Sequence, residues 1–185
     1  GFALAMAAAS RGAQVHLVIA NSDLPNIDGI TTTAVETAEE MAAILNLEFP
    51  HCDALIMSAA VADAKVVNYS EGKIRKESLD KVELAKNPDI LKSLAHIKRP
   101  GQIVVGFAAE TMSSVDALQK SGHEKLSSKN LDLIYVNDVS DGAIFGQEKT
   151  KGIIIDNSNN VIKVPEISKD TLADILLDQL VSKLG

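Results

Sequence analysis

The amino-acid sequence predicts a three-layer α/β fold built on a mainly parallel sheet. Apolar runs rich in β-branched residues alternate along the chain with segments of helical character, an order typical of parallel α/β proteins. Two of these runs, 54–60 and 103–108, are apolar throughout, as expected of strands that are buried on both faces. No internal repeat, low-complexity tract or interdomain linker interrupts the 185 residues. We therefore expect a single domain over 1–185.

The first part of the chain predicts helices and strands in alternation. A helix-like run opens the sequence and stops at Gly12, because glycine commonly follows a helix C-terminus. A strand is expected over 14–20, and a second extended stretch over 30–35. Thr37–Leu47 has helical character, and the apolar run 54–60 predicts the next strand.

A polar, basic segment over 64–86 breaks this alternation where a crossover helix is expected. The regular pattern then resumes. The elements predicted beyond it are a helix from about Asn87 to Ile97, a strand over 103–108, a helix over 113–129, a strand over 131–138, a hairpin of 151–157 and 160–166 that turns at Ser158 and Asn159, and a last helix capped by Ser168 and reaching Leu184.

The composition excludes several classes of protein. A net charge of −7 with only 3% aromatic residues argues against a nucleic-acid binder, which needs a basic surface and stacking rings. No apolar stretch approaches the roughly 20 residues that cross a bilayer, so no membrane span is expected. The one cysteine, Cys52, suits a reducing compartment, and we expect a cytoplasmic protein.

Small and polar residues follow three predicted strands, at the edge where open parallel sheets bind ligands. They are Ser58–Asp63, Gly106–Glu110 and the pair Asn137-Asp138. Lysines lie close to these ends: Lys73, Arg75 and Lys76 after the first, and Lys125 and Lys129 before the third. Lys125 and Lys129 are four apart and share a helix face. The combination predicts a nucleotide site, although a solvated basic surface would explain each cluster alone.

Motifs that the sequence lacks narrow the interpretation. It contains no GxGxxG fingerprint, no GxxxxGK[ST] loop and no GxSxG elbow. An ordinary dinucleotide enzyme, a P-loop enzyme and an α/β-hydrolase therefore lack support. Phe107 allows two interpretations, a core aromatic or a side chain that packs against a ligand.

Five linked motifs resemble those of one enzyme family, phosphopantothenoylcysteine synthetase. They are AAVADAK (59–65), GKIRK (72–76), KNPDIL (86–91), VVGFAAET (104–111) and KNLDLIYVNDV (129–139). The opening segment, GFALAMAAASRGAQVHLV, is also similar to the family's first helix and second strand. The resemblance spans essentially the whole chain and implies a Rossmann-like fold.

The resemblance implies an amide-forming ligase of coenzyme A synthesis. In that reaction CTP activates the carboxylate of 4′-phosphopantothenate as an acyl-cytidylate, and L-cysteine then displaces CMP; Mg²⁺ is expected to assist. The residues alone do not decide whether the nucleotide is CTP or ATP. Lys73 would stabilise the reacting phosphate, and Lys125 and Lys129 would hold the outer phosphates. The cytidine side would be formed by Met57, Ser58, Ala59, Ala60, Asp63, Asn87, Pro88, Asp89, Ile90 and Phe107.

The resemblance also implies features beyond the nucleotide site. The segment 64–86 is similar to the family's dimerisation flap, so a homodimer is expected. The family has an earlier strand and an asparagine-containing loop before the position of Gly1. We expect that strand to lie beside 54–60. Direct pairing of 14–20 with 54–60 would contradict this expectation. No flavin is expected in this domain. Two alternatives stay open: a non-catalytic nucleotide-binding module, and a nicotinamide-dependent reductase with a glycine fingerprint upstream of Gly1.

Overall fold

A computed structural model of the chain describes residues 1–22, 24–68, 72, 81–111, 114–139 and 148–185. Helices and strands alternate through most of this part. The helices are α1 (Phe2–Ser10), α2 (Ala38–Glu48), α3 (Ile90–His96), α4 (Val115–Ser128) and α5 (Lys169–Leu184), with a short 3₁₀ turn at Phe49–His51. The strands are β1 (His16–Ala20), β2 (Thr31–Val35), β3 (Ala54–Met57), β4 (Ala64–Val66), β5 (Leu84–Lys86), β6 (Ile103–Glu110), β7 (Leu133–Asp138), β8 (Lys149–Asp156) and β9 (Val161–Ser168).

Five strands form the central sheet in the order β3-β6-β7-β8-β9. β3, β6 and β7 are parallel, whereas β8 and β9 form an antiparallel hairpin at one side. β1 and β2 make a separate parallel pair, and β4 and β5 make a short antiparallel ribbon. The predicted α/β fold, its mainly parallel sheet and its C-terminal hairpin are confirmed.

Helices cover both faces of the central sheet, because alternate residues of each strand point to opposite sides. On β6, Ile103 and Val105 belong to a hydrophobic cluster with α1 and α5, which we call the α1/α5 face. Val104 belongs to a second cluster with α2, α3 and α4, which we call the α3/α4 face. Leu133 and Ile134 on β7 divide between the two clusters in the same way. The result is the predicted three-layer arrangement.

Close contact between α4 and the sheet depends on Gly122. A Cβ atom at this position would lie 2.5 Å from Cδ1 of Ile155 and 2.9 Å from Cγ2 of Val136. Real Cβ atoms do not approach other atoms this closely, so a side chain at Gly122 would move the helix outward. The glycine therefore sets the distance of α4 from β7 and β8.

Side-chain caps define where several helices begin. Ser168 accepts a hydrogen bond from the Thr171 amide at 3.0 Å, which confirms the predicted cap of α5. Gly12 has a φ of +88° just after α1, the conformation expected of a helix stop. α3 begins later than predicted, at Ile90, because Asp89 is its N-cap and Pro88 lies before the cap.

The structure also differs from the prediction at the end of β3. This strand stops at Met57, which pairs with Gly106, and not at Ala60, since 58–60 leave the sheet and pair with no strand among the described residues. Within the same residues β3 pairs only with β6, and β1 pairs only with β2. Direct pairing of β1 with β3, the result that would contradict a strand between them, does not occur there. A strand in that position stays a prediction.

Candidate functional site

The predicted residues of the first strand end occupy a loop beyond the carboxyl end of β3. Met57 is buried in the α3/α4-face cluster, Ser58 is half-buried, and Ala59 and Ala60 are exposed. Asp63 is also exposed. Because the loop departs from the sheet after Met57, its small side chains allow a ligand to approach the backbone closely.

Asn87 ties this loop to the start of α3. Its side-chain Nδ2 donates to the carbonyl of Ala62 at 2.9 Å, and its backbone amide donates to the carbonyl of Asp63 at 2.8 Å. The side chain is only 9% exposed, and its Oδ1 accepts no hydrogen bond from the described residues. A buried acceptor without a donor costs about 1–3 kcal/mol. Asn87 is thus in direct contact with the backbone of Asp63, and one buried oxygen of Asn87 is left unpaired; a role of either residue in nucleotide binding stays a prediction.

Lys129 contacts the N-terminus of α3. Its Nζ lies 2.8 Å from Oδ2 of Asp89, while Oδ1 of Asp89 accepts from the Lys92 amide at 3.0 Å. Partial burial alone would raise the pKa of Asp89, but the hydrogen bonds from Lys129 and Lys92 outweigh it and lower that pKa. Two predicted site residues therefore form an ion pair with each other.

Lys125 lies one turn earlier on α4 and contacts a different carboxylate. Its Nζ hydrogen-bonds to Oε1 of Glu110, at the carboxyl end of β6, and Ser121 donates to the same oxygen at 2.6 Å. The bond from Lys125 is the main cause that lowers the pKa of Glu110, followed by the bond from Ser121. The shared face predicted for Lys125 and Lys129 is confirmed, since both point at the carboxyl edge of the sheet. Each lysine is already neutralised there.

Phe107 lies on the other face of the sheet. Its ring makes an edge-to-face contact with Tyr135, with centroids 5.6 Å apart and ring planes at 67°. It packs against the α1/α5-face cluster, opposite to the two lysines. Its contacts fit the core-aromatic interpretation, and packing against a ligand stays a prediction.

The catalytic prediction falls outside what the structure describes. Lys73, Arg75 and Lys76 are not among the described residues, and Gly72 is the one residue of the GKIRK motif that is. The roles predicted for these basic residues stay predictions.

Sequence reasoning missed a hydrogen-bonded set between β7 and β8. The Tyr135 hydroxyl lies 2.7 Å from Oγ1 of Thr150, and Thr150 donates to Oδ1 of Asn137 at 2.9 Å. Burial raises the pKa of Tyr135 to about 12, so its hydroxyl stays a donor at neutral pH. The sequence analysis singled out Asn137 only as a strand-end residue, and nothing in the sequence pairs it with Thr150.

Two open cavities among the described residues contain no predicted site residue. One, of about 430 Å³, is lined by residues of β2 and α2 that include Glu36 and Glu40. The other, of about 450 Å³, includes His123, Asn130 and Asn157. We assign the candidate site by its chemistry and not by concavity, because neither cavity combines cations with a buried unpaired group.

The described residues lack both a membrane-spanning helix and a cluster of metal ligands. No helix there has both the length and the apolar character needed to span a membrane. No three acidic, histidine or cysteine side chains there are grouped closely enough to hold a metal ion by themselves.

Comparison with known proteins places similarity over nearly the whole chain. The model of the DNA/pantothenate metabolism flavoprotein C-terminal domain matches residues 1–184. A cysteine/cysteine sulfinic acid decarboxylase of an unknown prokaryotic organism is 39% identical over 95% of the chain and 49% of its own length. The coenzyme A biosynthesis bifunctional protein CoaBC of Escherichia coli K12 is 35% identical over 99% of the chain and 45% of its own length.

A solved structure has the same fold. The crystal structure of the C-terminal domain of a coenzyme A biosynthesis bifunctional protein CoaBC superposes with a TM-score of 0.82 at 29% identity, covering 100% of the chain and 81% of that domain. The chain spans about half the length of the curated relatives it matches. Their names carry two different activities, so the relatives do not by themselves decide between them.

Proposed function

The chain belongs to the family of the DNA/pantothenate metabolism flavoprotein C-terminal domain, and from that premise we propose that it is the ligase that joins 4′-phosphopantothenate to L-cysteine. An oxygen of the acid's carboxylate attacks the α-phosphorus of a nucleoside triphosphate, and the bond to pyrophosphate breaks. The cysteine amine then attacks the acyl carbon, loses a proton and displaces the nucleoside monophosphate. We propose CTP as that nucleotide.

The unpaired buried oxygen of Asn87 is the observation that best supports a nucleotide on this edge. The side-chain Nδ2 and the backbone amide of Asn87 both donate hydrogen bonds, and these hold its Oδ1 in place. This oxygen is therefore a rigid acceptor. Cytosine presents an exocyclic amino group, which is a donor of the kind this oxygen lacks. Adenine presents an amino group too, so the acceptor supports an amino-bearing base, and the family resemblance favours CTP.

Lys125 and Lys129 are the evidence for where the triphosphate would bind. Lys125 and Lys129 are 40% and 32% exposed, and their carboxylate partners hold them near the edge without burying them. A polyanionic triphosphate competes well with a single carboxylate for an ammonium group that is still partly exposed. We propose that both lysines exchange Glu110 and Asp89 for phosphate oxygens when the nucleotide binds.

Mg²⁺ fits this arrangement as a companion of the triphosphate. Mg²⁺ commonly binds largely through substrate phosphates and water, so the triphosphate itself would carry the ion. When bound, it would supply charge neutralisation at the phosphate oxygens. The lysines would add further positive charge around the phosphates.

A homodimer and a cytoplasmic location are also part of the proposal. The ribbon of β4 and β5 and the residues next to it carry four exposed apolar side chains, those of Val66, Val67, Val82 and Leu84. Such a patch on a small ribbon is typical of a surface that another chain covers. This supports the dimerisation flap expected from the sequence.

The experiment is a turnover assay on the full-length protein with CTP, Mg²⁺, 4′-phosphopantothenate and L-cysteine. We expect CMP and pyrophosphate in equal amounts, formed only when both other substrates are present. CTP should also raise the melting temperature, whereas NAD(P)H should not. A nicotinamide-dependent reductase would show the reverse, and a non-catalytic module would bind CTP without releasing CMP. Release of CO₂ from cysteine or cysteine sulfinate would favour the decarboxylase activity.

Lys73 provides the sharpest test of the chemistry. Because a lysine beside the reacting phosphate offsets charge that grows in the transition state, Lys73→Gln should lower turnover by roughly a hundredfold, about 2.7 kcal/mol. Arg75→Ala, two residues away, is the matched control and should matter less. Circular dichroism checks that both variants fold. Turnover of a folded Lys73→Gln within about threefold of the parent would make Lys73 a surface charge.

A further inference from the structure

One side of β2 carries backbone groups that have no partner among the described residues. The amide of Thr31 donates to the carbonyl of Val15 at 3.2 Å, and Thr31 stands opposite His16 in the parallel pair. Because bonding directions alternate along a strand, the N–H and C=O groups of Thr32 and Ala34 point away from β1. Within the described ranges β2 pairs with β1 alone, and these groups make no other backbone hydrogen bond. We call these four groups the β2 outer edge.

The β2 outer edge is closed at both of its ends. Before it, the amide of Ile30 donates to the carbonyl of Ile27 at 3.1 Å in a tight turn. After it, the amide of Glu36 donates to Oε2 of Glu40 at 2.8 Å. Only the groups of residues 32 and 34 stay open in between. An added strand would therefore pair over a short stretch of about five residues.

A groove lies along this edge, and it is the cavity of about 430 Å³ between β2 and α2. Its lining includes the consecutive residues 33–36, whose side chains alternate between the two faces of the strand. The cavity therefore touches the backbone side of β2 and not one face alone. Its lining from α2 includes Ala43 and Ile44, and both Ala34 and Ala43 are exposed. Small apolar side chains are thus available next to the unpaired backbone groups.

The edge strand β9 is protected in a way that β2 is not. β9 ends the central sheet and carries Pro165, which has no N–H, together with the exposed Lys163 and Glu166. Proline and charged side chains on an edge discourage pairing with another chain. β2 has the sequence TTTAV, with no proline and no charge, and threonine and valine favour strands. An open edge beside an apolar groove is an arrangement suited to strand addition.

Acidic side chains at the carboxyl end of β2 decide which partner fits. Glu36, Glu39 and Glu40 are exposed there. Lys65 pairs with Glu39, whereas Glu36 has no ion-pair partner among the described residues. A basic side chain on an added strand would meet complementary charge at this end. A second copy of this chain fits less well, because its net charge is −7 and antiparallel pairing of two β2 strands would bring Asp28 of one copy towards Glu36 of the other.

We propose that the β2 outer edge is a docking site for an extended, basic segment of another protein. The segment adds a strand through hydrogen bonds to Thr32 and Ala34. It places apolar side chains against Ala43 and Ile44, and it pairs a lysine or arginine with Glu36. Backbone bonds supply affinity in this mode of recognition, and side-chain contacts supply specificity. The inference goes beyond the proposed ligase function and does not depend on it, since no residue of the proposed nucleotide site takes part.

The test uses a fluorescein-labelled peptide of sequence KVTVTVK and measures its fluorescence anisotropy with the full-length protein at low salt. We expect this peptide to bind at least tenfold more tightly than EVTVTVE, and more weakly as the salt concentration rises. Two further forms of KVTVTVK carry N-methyl groups on one or the other set of alternate amides. The form methylated on the amides that face β2 should lose binding, and the other form should keep it. Equal binding of both forms would indicate diffuse charge attraction and overturn the inference.

Amide hydrogen exchange, followed by NMR, locates the bound peptide. Exchange at the amides of Thr32 and Ala34 should slow at least fivefold when KVTVTVK binds, because both gain an acceptor. The amide of Thr33 already points to β1 and should exchange as before. Binding of the peptide without slower exchange at residues 32 and 34 would place it elsewhere and overturn the inference.

Two variants test the backbone and the charge separately. Ala34→Pro removes one outward N–H that makes no bond to β1, and should weaken binding of KVTVTVK at least tenfold. Glu36→Lys leaves the backbone intact, so it keeps the test decisive if Ala34→Pro does not fold, and it should reverse the preference towards EVTVTVE. Glu166→Lys, the same exchange on the protected strand β9, is the matched control and should leave both affinities unchanged. Circular dichroism checks that each variant folds.

Three results would overturn the inference. One is a parent protein that binds KVTVTVK no better than EVTVTVE. Another is a folded Glu36→Lys that keeps the parent's preference. The third is a parent that binds neither peptide but forms an assembly that loses subunits in Ala34→Pro, as measured by sedimentation velocity, which would assign the edge to a second copy of this chain.

Discussion

The two edges of the central sheet differ in how completely their polar side chains are bonded. At the amino edge, Asp132 accepts from both the Val104 amide at 2.8 Å and Asn157 at 3.1 Å, and Lys98 contacts both of its oxygens at 2.7 Å. At the carboxyl edge, Asn87 and Asn137 each keep one amide atom that bonds to no described residue. Saturated groups stabilise the fold, whereas Asn87 and Asn137 each keep the capacity for one further hydrogen bond.

The charged pairs at the two edges show the same contrast. Lys98 and Asp132 are 18% and 9% exposed, and Asp156, also at the amino edge, accepts four further bonds from Ser158, Asn160 and Lys183. The carboxyl-edge lysines are more exposed and each faces one carboxylate. Exposed pairs contribute little to stability, and breaking a buried pair is costly. Substitutions at the amino edge should therefore lower stability, whereas substitutions of the carboxyl-edge lysines should change it little.

The largest expected effect is a loss of stability at the amino edge. Asp132→Ala leaves Lys98 and the Val104 amide without their acceptor, and should lower the free energy of unfolding by about 3–5 kcal/mol. Urea denaturation measures this, and turnover per folded molecule should stay close to that of the parent. The exposed Asp28→Ala is the control and should change stability by less than about 0.5 kcal/mol. A stable but inactive Asp132→Ala would contradict the structural role assigned to the amino edge.

A smaller, catalytic effect is expected from the lysines of the carboxyl edge. Lys125→Ala and Lys129→Ala should each change the free energy of unfolding by less than about 1 kcal/mol. Each should raise the KM for CTP roughly tenfold, about 1.4 kcal/mol, because the proposed charge-assisted bond to phosphate is lost. Lys120→Ala, exposed on the same helix, should leave both quantities unchanged. Equal KM values for all three variants would show that Lys125 and Lys129 do not bind the nucleotide.

The smallest effect concerns the response of Glu110 to acid. Its pKa is lowered in the folded state, so its contribution to stability is present above the unfolded pKa of about 4.3 and is lost as the pH falls through the folded value. Because the pair is partly exposed, the contribution should be under about 1 kcal/mol. Glu110→Gln should therefore unfold with a slightly flatter pH dependence below about pH 4. A steeper dependence in this variant would contradict the assigned direction of the shift.

Local patterns in the sequence were enough to predict most elements of the fold. Apolar runs predicted β3 and β6, and the turn at Ser158 and Asn159 predicted the hairpin, because these signals depend on neighbouring residues alone. The four-residue spacing of Lys125 and Lys129 likewise predicted their shared face. The end of β3 was predicted three residues too late, since its length depends on which residues of β6 stand opposite.

The contacts of the site could not be predicted in the same way. Lys125 meets Glu110, fifteen residues away, only because α4 lies against the end of β6. Thr150 reaches Asn137 only because β8 lies beside β7, where Gly152 pairs with Asn137. Such contacts depend on tertiary packing, which sequence spacing does not encode locally. The role of Lys73 rests on family resemblance alone.

Gly122 connects the packing of the core to the chemistry of the edge. Lys125 and Lys129 follow it on the same helix, so any side chain at 122 that pushes α4 away from Ile155 and Val136 carries both ammonium groups with it. A single added methyl group, in Gly122→Ala, would alter the phosphate affinity that we propose for this edge without touching a charged residue. In an evolving lineage, the affinity of the proposed site for a nucleotide could therefore be adjusted in small steps by volume changes at Gly122, Val136 and Ile155 while both lysines are kept.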